Sequence, residues 1–223
     1  MVLMYIGRIT FKSHLGSIHC MIKLIFVVLI ILTLIVGLFL LQFYRDPKRT
    51  IPEGNIIVSP ADGKVMKIIR TSDKNITVDK GYLGKIKTLT NDVCDDCVVI
   101  SIFMSPIDAH INRAPITGKV ISVTHTPGKF FAAYDLEKSL MNEKAETIIE
   151  NKEMKIKVIQ IAGFVARRVI PYMKEGDEVE KGQKIGQIAL GSQATLIMPA
   201  DVKIIVKEGE HVKAGSSIIA KVS

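Results

Sequence analysis

Lys174-Glu175-Gly176-Asp177-Glu178-Val179-Glu180-Lys181-Gly182-Gln183-Lys184-Ile185 returns as Lys207-Glu208-Gly209-Glu210-His211-Val212-Lys213-Ala214-Gly215-Ser216-Ser217-Ile218. The offset is 33 residues at every matching position: Lys, Glu, Gly, Val, Gly and Ile. A second repeat has the form Pro-x-x-Gly-Lys-Val. It occurs at Pro60–Val65 and Pro115–Val120, with a degenerate copy at Pro199–Ile204. Self-similarity of this kind implies one supersecondary unit used more than once. Each Gly of the 33-residue repeat is expected at a turn position with positive φ, where a side chain is disfavoured.

Around these repeats the signal is mostly strand. Val/Ile-rich runs bounded by Gly, Pro, Asn or Asp predict strands near 55–58, 64–70, 75–79, 98–103, 118–124, 155–161, 164–170, 185–189, 195–198, 202–206 and 217–222. One stretch, about 130–144, reads as a short helix, with Phe131, Tyr134, Leu136 and Leu140 as a partial apolar stripe. The fold class expected is mainly β (α+β). The Glu-Gly-Asp-x-Val-x-x-Gly pattern resembles the hairpins of barrel-sandwich, lipoyl-like folds. That is a signal about architecture and carries no chemistry by itself.

Upstream of this domain, Leu24–Leu41 is an apolar run of 18 residues interrupted only by Thr33 and Gly37. As a helix it spans roughly 27 Å, close to the thickness of a bilayer's hydrocarbon core. It ends in Phe43-Tyr44-Arg45-Asp46-Pro47-Lys48-Arg49, an interfacial aromatic pair followed by charge. No small-residue cleavage site follows, which disfavours a signal peptide. The organisation expected is a flank over 1–23, a transmembrane anchor over 24–43 and a folded domain over 44–223. Basic residues flank both ends of the anchor, so flanking charge does not decide its orientation. The expected placement is the cell membrane, with the domain on the cytoplasmic side.

The formal charge is +8, of which Arg8, Lys12 and Lys23 supply +3 before residue 44. With no Trp, few aromatics and no dense Lys/Arg run, this basic excess suits an anionic lipid surface better than nucleic acid. Cys20, Cys94 and Cys97 are the three cysteines. Cys94-Asp95-Asp96-Cys97 is half of a zinc site without a second pair to complete it. It reads as an acidic turn before a strand, and no metal is expected. Sparse, odd-numbered cysteine argues against a disulfide scaffold and fits a reducing compartment.

Four further segments carry chemistry. Leu190-Gly191-Ser192-Gln193-Ala194-Thr195 lies between the two Lys-Glu-Gly repeats. Val58-Ser59-Pro60-Ala61-Asp62-Gly63-Lys64-Val65 holds an Asp in a tight turn. Ser105-Pro106-Ile107-Asp108-Ala109-His110-Ile111-Asn112-Arg113-Ala114-Pro115 sets a His between two prolines. Gln160-Ile161-Ala162-Gly163-Phe164-Val165-Ala166-Arg167-Arg168 ends in two arginines. Alone, a Gly-Ser pair reads as a hairpin turn. Together and in this order, the four segments resemble the phosphatidylserine decarboxylase family, in its short single-anchor type. The likeness runs from Phe43 through His125-Thr126-Pro127-Gly128-Lys129-Phe130 to the chain end.

The resemblance implies a self-cleaving precursor. Ser192 Oγ would attack the Gly191 carbonyl, and the resulting ester would eliminate, leaving a pyruvoyl group at position 192. The products would be residues 1–191 and 192–223, held together as a heterodimer. A serine nucleophile needs a base, and the base an orienting group; the matching residues are His110 and Asp62. The pyruvoyl carbonyl would form a Schiff base with an aminophospholipid and absorb the electrons left by CO2, as pyridoxal phosphate does. His110 is the expected proton donor. Longer relatives carry a second His three residues on, where this chain has Arg113. His125, Arg167 and Arg168 are candidate substrate contacts, and Asn142-Glu143 matches a family pattern of no evident role. The substrate implied is phosphatidylserine, or archaetidylserine with ether-linked tails. The rival reading is a non-enzymatic membrane-tethered lipoyl-like adaptor, which accounts for the repeats but not for Gly191-Ser192, Asp62 and His110 together. A lipoyl carrier would need a Lys at the hairpin tip that Gly191-Ser192 occupies.

Overall fold

The computed structural model describes residues 2–79, 85–128, 143–163, 168–189 and 192–222; side chains are described from residue 21 (and at His19), except over 75–79 and 85–89. The chain forms two units, 1–42 and 43–223. Helix α1 covers Val2–Phe43, so it runs through the flank expected to precede the anchor. No proline interrupts residues 2–43, and a helix has no reason to stop there. Within α1, Met21–Phe43 is long and apolar enough to cross a membrane.

The second unit is mainly β. Its strands are β1 (Ile56–Val58), β2 (Gly63–Thr71), β3 (Asn75–Asp79), β4 (Lys85–Leu89), β5 (Cys97–Met104), β6 (Ile111–Arg113), β7 (Gly118–Thr126) and β8 (Lys144–Glu150). They continue with β9 (Lys155–Ile161), β10 (Val169–Pro171), β11 (Glu178–Val179), β12 (Lys184–Ile188), β13 (Ser192–Pro199), β14 (Lys203–Ile204), β15 (His211–Val212) and β16 (Ile218–Lys221). An eight-stranded sheet has the order β11-β7-β8-β9-β13-β5-β2-β15. The other sheets among the described residues are two three-stranded ones, β10-β12-β6 and β14-β16-β1, and the hairpin β3-β4.

The repeats become a near twofold arrangement. Gly176, Gly182, Gly209 and Gly215 have φ of 96°, 84°, 86° and 74°, as the 33-residue repeat predicts. Val120 N–H donates to Asp177 O and Val65 N–H to Glu210 O, both at 2.8 Å. The halves also exchange bonds directly: Val58 N–H donates to Pro115 O, and Arg113 N–H to Pro60 O. Each Pro-x-x-Gly-Lys-Val copy is followed by the same register shift, after Val65 in β2 and after Val120 in β7. The degenerate copy at Pro199–Ile204 is different: Pro199 ends β13, and Lys203–Ile204 pair with β16.

Strands β5, β9 and β13 are buried on both faces, which is why they read as unbroken Val/Ile runs. One face of β5 and β13 places Val98, Ile100, Ile102, Ala194, Leu196 and Met198 in the main core. The other packs Cys97, Val99, Ile159, Ile161 and Ile197 into a smaller cluster. Burial of each such aliphatic side chain contributes about 1.5–3 kcal/mol.

The structure departs from the sequence reading in several elements. Strand β8 is rich in Lys, Ala and Glu, yet pairs with β7 and β9 on its two sides, and that pairing overrides helix propensity. The helix expected near 130–144 lies almost wholly outside the described residues, and its last residue belongs to β8. The strand expected over 164–170 is described only from Arg168, and β10 begins at Val169. Cys94 and Cys97 form a disulfide across the acidic turn, with Cα atoms 5.6 Å apart; a reducing setting does not predict it.

Glycines in these turns separate steric from conformational cost. A Cβ on Gly63 would run into the Phe103 carbonyl, whereas one on Gly176 would meet nothing within 4 Å. Gly63→Ala should therefore cost more than about 3 kcal/mol and lower the unfolding temperature by roughly 10 °C. Gly176→Ala should cost about 1–2 kcal/mol, from its left-handed backbone alone. Thermal unfolding of both variants checks this, and equal shifts would contradict it.

Candidate active site

Ser192 is the first residue of β13 and pairs with Met104, the last residue of β5. It is fully buried. Its hydroxyl donates to Met104 Sδ at 3.5 Å. A thioether is a weak acceptor, so among the described residues this buried hydroxyl has no strong partner.

His110 lies between β5 and β6, just after a turn built by Ser105-Pro106-Ile107-Asp108. Asp108 Oδ2 accepts from Ser105 N–H and Ser105 Oγ, each at 2.7 Å, and Asp108 N–H donates back to Ser105 O at 2.9 Å. Arg45 Nη2 braces the turn by donating to Ile107 O at 2.9 Å. Beyond the turn, His110 O accepts from Ile188 N–H. The Phe43 ring covers the imidazole at 4.1 Å between centroids. His110 Nδ1 is 2.8 Å from Asp108 O. A carbonyl can only accept, so Nδ1 carries the proton and Nε2 presents its lone pair. Nε2 is buried and has no hydrogen-bond partner among the described residues. Burial pushes the His110 pKa below the usual histidine value. The hydrogen bond to Asp108 and the charges of Asp108 and Asp62 oppose that shift, while Arg45 adds to it. The resident form is a neutral, oriented base.

Asp62 precedes β2 and is committed elsewhere. Its Oδ1 accepts from Ala214 N–H at 2.7 Å, and its Oδ2 from Arg49 Nη2 at 2.6 Å. Thr117 holds the matching place in the other half, where its Oγ1 accepts from Lys181 N–H at 3.0 Å. Asp62 therefore caps a repeat turn and in addition binds an arginine. Among the described residues, no hydrogen bond joins Ser192, His110 and Asp62 to one another. The group that orients the imidazole is the Asp108 carbonyl, and Asp62 reaches it only through its charge.

Among the described residues, no hydrogen bond joins His125 or Arg168 to Ser192. His125 Nε2 meets Glu143 Oε1 at 2.8 Å, and the same oxygen accepts from Val169 N–H at 3.1 Å. Glu143 thus ties the β7–β8 edge to β10. Arg168 is exposed just before β10. Gly191, Arg167 and Asn142 lie outside the described residues.

Two buried residues escaped the sequence reading. Gln160 Nε2 donates to Asn112 Oδ1 at 2.8 Å. Asn112 Nδ2 donates to Pro60 O at 3.3 Å and contacts Met104 Sδ at 3.8 Å. Ser192 and Asn112 thus share the Met104 sulfur. The available signal was a lone amide inside the Ile/Lys-rich strand Lys155–Ile161, and an Asn two residues after His110.

The His110 geometry carries a pH consequence. A lowered pKa keeps the folded ring neutral below about pH 6.5, where an unfolded histidine protonates. As pH falls below that value the unfolded state binds the proton first, so stability falls. Imidazole 15N NMR should show a ring protonated at Nδ1, titrating below pH 6.5. A midpoint at or above that value would contradict the assignment.

Comparison with known proteins bears on this arrangement. The phosphatidylserine decarboxylase family profile matches residues 36–220. A Methanocaldococcus jannaschii protein named "Putative archaetidylserine decarboxylase proenzyme" is 46% identical over 184 residues, covering 82% of this chain and 89% of the relative. The phosphatidylserine decarboxylase proenzyme of Chlorobium limicola is 38% identical over 207 residues, covering 92% and 90%. That of Prosthecochloris aestuarii is 39% identical over 192 residues, covering 85% and 80%. With the match extending over nearly all of the second unit and its candidate site, the chain belongs to the phosphatidylserine decarboxylase family, a family of carboxy-lyases.

Proposed function

We propose that the chain cuts itself between Gly191 and Ser192 and then decarboxylates the serine head group of a membrane glycerophospholipid, with ester-linked or ether-linked tails. The observation that carries this reading is the buried, unengaged Nε2 of His110 in a domain whose Ser192 hydroxyl rests only on a thioether among the described residues. Relatives bearing both lipid names, each called a proenzyme, support it.

In the cleavage, His110 Nε2 takes the Ser192 hydroxyl proton as Oγ bonds to the Gly191 carbonyl carbon. The peptide C–N bond breaks, and the freed nitrogen of residue 192 takes the proton. Loss of the residue 192 α-proton then breaks the Cβ–Oγ bond and releases Gly191 as a carboxylate. The enamine left at 192 tautomerises, adds water and releases ammonia, which makes a ketone. The pocket suits this change, since the hydroxyl on Met104 Sδ is exchanged for a methyl, and a thioether packs well against apolar groups. A pyruvoyl group there supplies an electrophile for the substrate amine and a sink for the electrons left by CO2. His110 Nε2 takes a proton from the incoming ammonium and returns it to the carbon that loses CO2. Asp62 contributes negative charge near the ring while capping its turn.

The smaller product, 192–223, would contain β13 to β16. Those strands pair with β5, β9, β1 and β2, so the two chains would stay joined as a heterodimer. We place 44–223 as the decarboxylase domain and 24–43 as an anchor in the cell membrane, with the domain on the cytoplasmic side. His125 and Arg168, with Arg167, are proposed to contact the lipid head group.

Release of CO2 from phosphatidylserine vesicles tests the reading. Ser192→Ala should remain one chain of 24.6 kDa and release no CO2. His110→Ala should slow cleavage by about 100-fold or more. An active Ser192→Ala protein would overturn the proposal.

A further inference from the structure

Gln160 stands in a strand of three isoleucines, two lysines and one valine, fully buried, with Ala194 of β13 as its partner. Ser192 is two residues before Ala194, on the same side of the strand. A long side chain at 160 therefore reaches diagonally toward position 192. The orientation of the carboxamide is fixed, because Nε2 donates to Asn112 Oδ1 and Asn112 is itself tied to Pro60 O. Space for it is made by Gly186, where a Cβ would fall 2.6 Å from Nε2 and 2.8 Å from Oε1. With the donor end engaged, Oε1 is left buried and without a hydrogen-bond partner among the described residues. A structural amide pair accounts for the Nε2 bond but not for this oxygen. An orphaned buried acceptor costs about 1–3 kcal/mol, and Met or Leu would fill the place more cheaply.

What such an oxygen requires is an N–H, and the reaction at residue 192 delivers one. We propose that Gln160 is an amine-binding residue, its Oε1 accepting a hydrogen bond from the substrate's primary amine as that nitrogen meets position 192. Asn112 is the positioning residue that aims it. Because the amine donates an N–H to Oε1, its lone pair stays free and is turned toward the carbonyl. This inference rests on the pyruvoyl reading above.

Wild type and Gln160→Met, which keeps length and removes the acceptor, separate the two. Purified protein is treated with a small hydrazine, which labels a ketone at 192 whether or not an amine site exists. In parallel it is treated with phosphoethanolamine and cyanoborohydride, and the adduct on the small chain is read by mass. Gln160→Met should be cleaved and hydrazine-labelled like wild type, while the phosphoethanolamine concentration for half-maximal adduct rises at least tenfold. Gln160→Leu, which also lacks the acceptor, should show the same rise. Equal adduct formation by wild type and Gln160→Met overturns the inference. So does a folded but uncleaved Gln160→Met, or a hydrazine-labelled Gln160→Leu that captures the amine like wild type. A wild-type protein that is neither cleaved nor labelled overturns the pyruvoyl reading instead.

Discussion

Strand β13 is paired with β5 along its full length and with β9 over Gln193–Ile197. A strand held on both sides cannot slip by one residue without turning its whole apolar set to the wrong face. That constraint fixes Ser192 at the strand's buried start, against Met104. It also explains how a chain cut just before β13 would keep its fragments together.

The near twofold arrangement shows where the candidate site departs from its sister half. In one half, β8 and β9 are joined by a tight turn in which Asn151 N–H donates to Met154 O. In the other half, β5 and β13 pair in the same antiparallel sense but are not consecutive in the chain. Met104 and Ser192 thus face each other at an end that a turn closes in the sister half. The segment leaving β5 is free to carry the Asp108 turn and His110. Asp62 illustrates the same divergence, since the turn-capping role it shares with Thr117 leaves a second carboxylate oxygen for Arg49.

Much of this was readable from the residues. Repeats located the glycine turns, and unbroken Val/Ile runs located the central strands, because both depend on local chemistry. Strand β8 was not readable, since its pairing with two neighbours outweighs the helical preference of Lys144, Ala145 and Glu146. Segment likeness pointed to His110, but the partner of its Nδ1 is a backbone carbonyl, and backbone groups leave no mark in a sequence. Gln160 and Asn112 were hidden for a related reason. A single amide in a strand has meaning only once its diagonal neighbour is known.

The account depends on residue 192 ceasing to be a serine. Tandem mass spectrometry of the smaller chain from purified wild-type protein tests this most directly. The expected product is a 32-residue peptide spanning 192–223, blocked to Edman degradation and beginning with a keto acyl group. A peptide beginning with an ordinary serine amine, or a chain that stays whole, would contradict it.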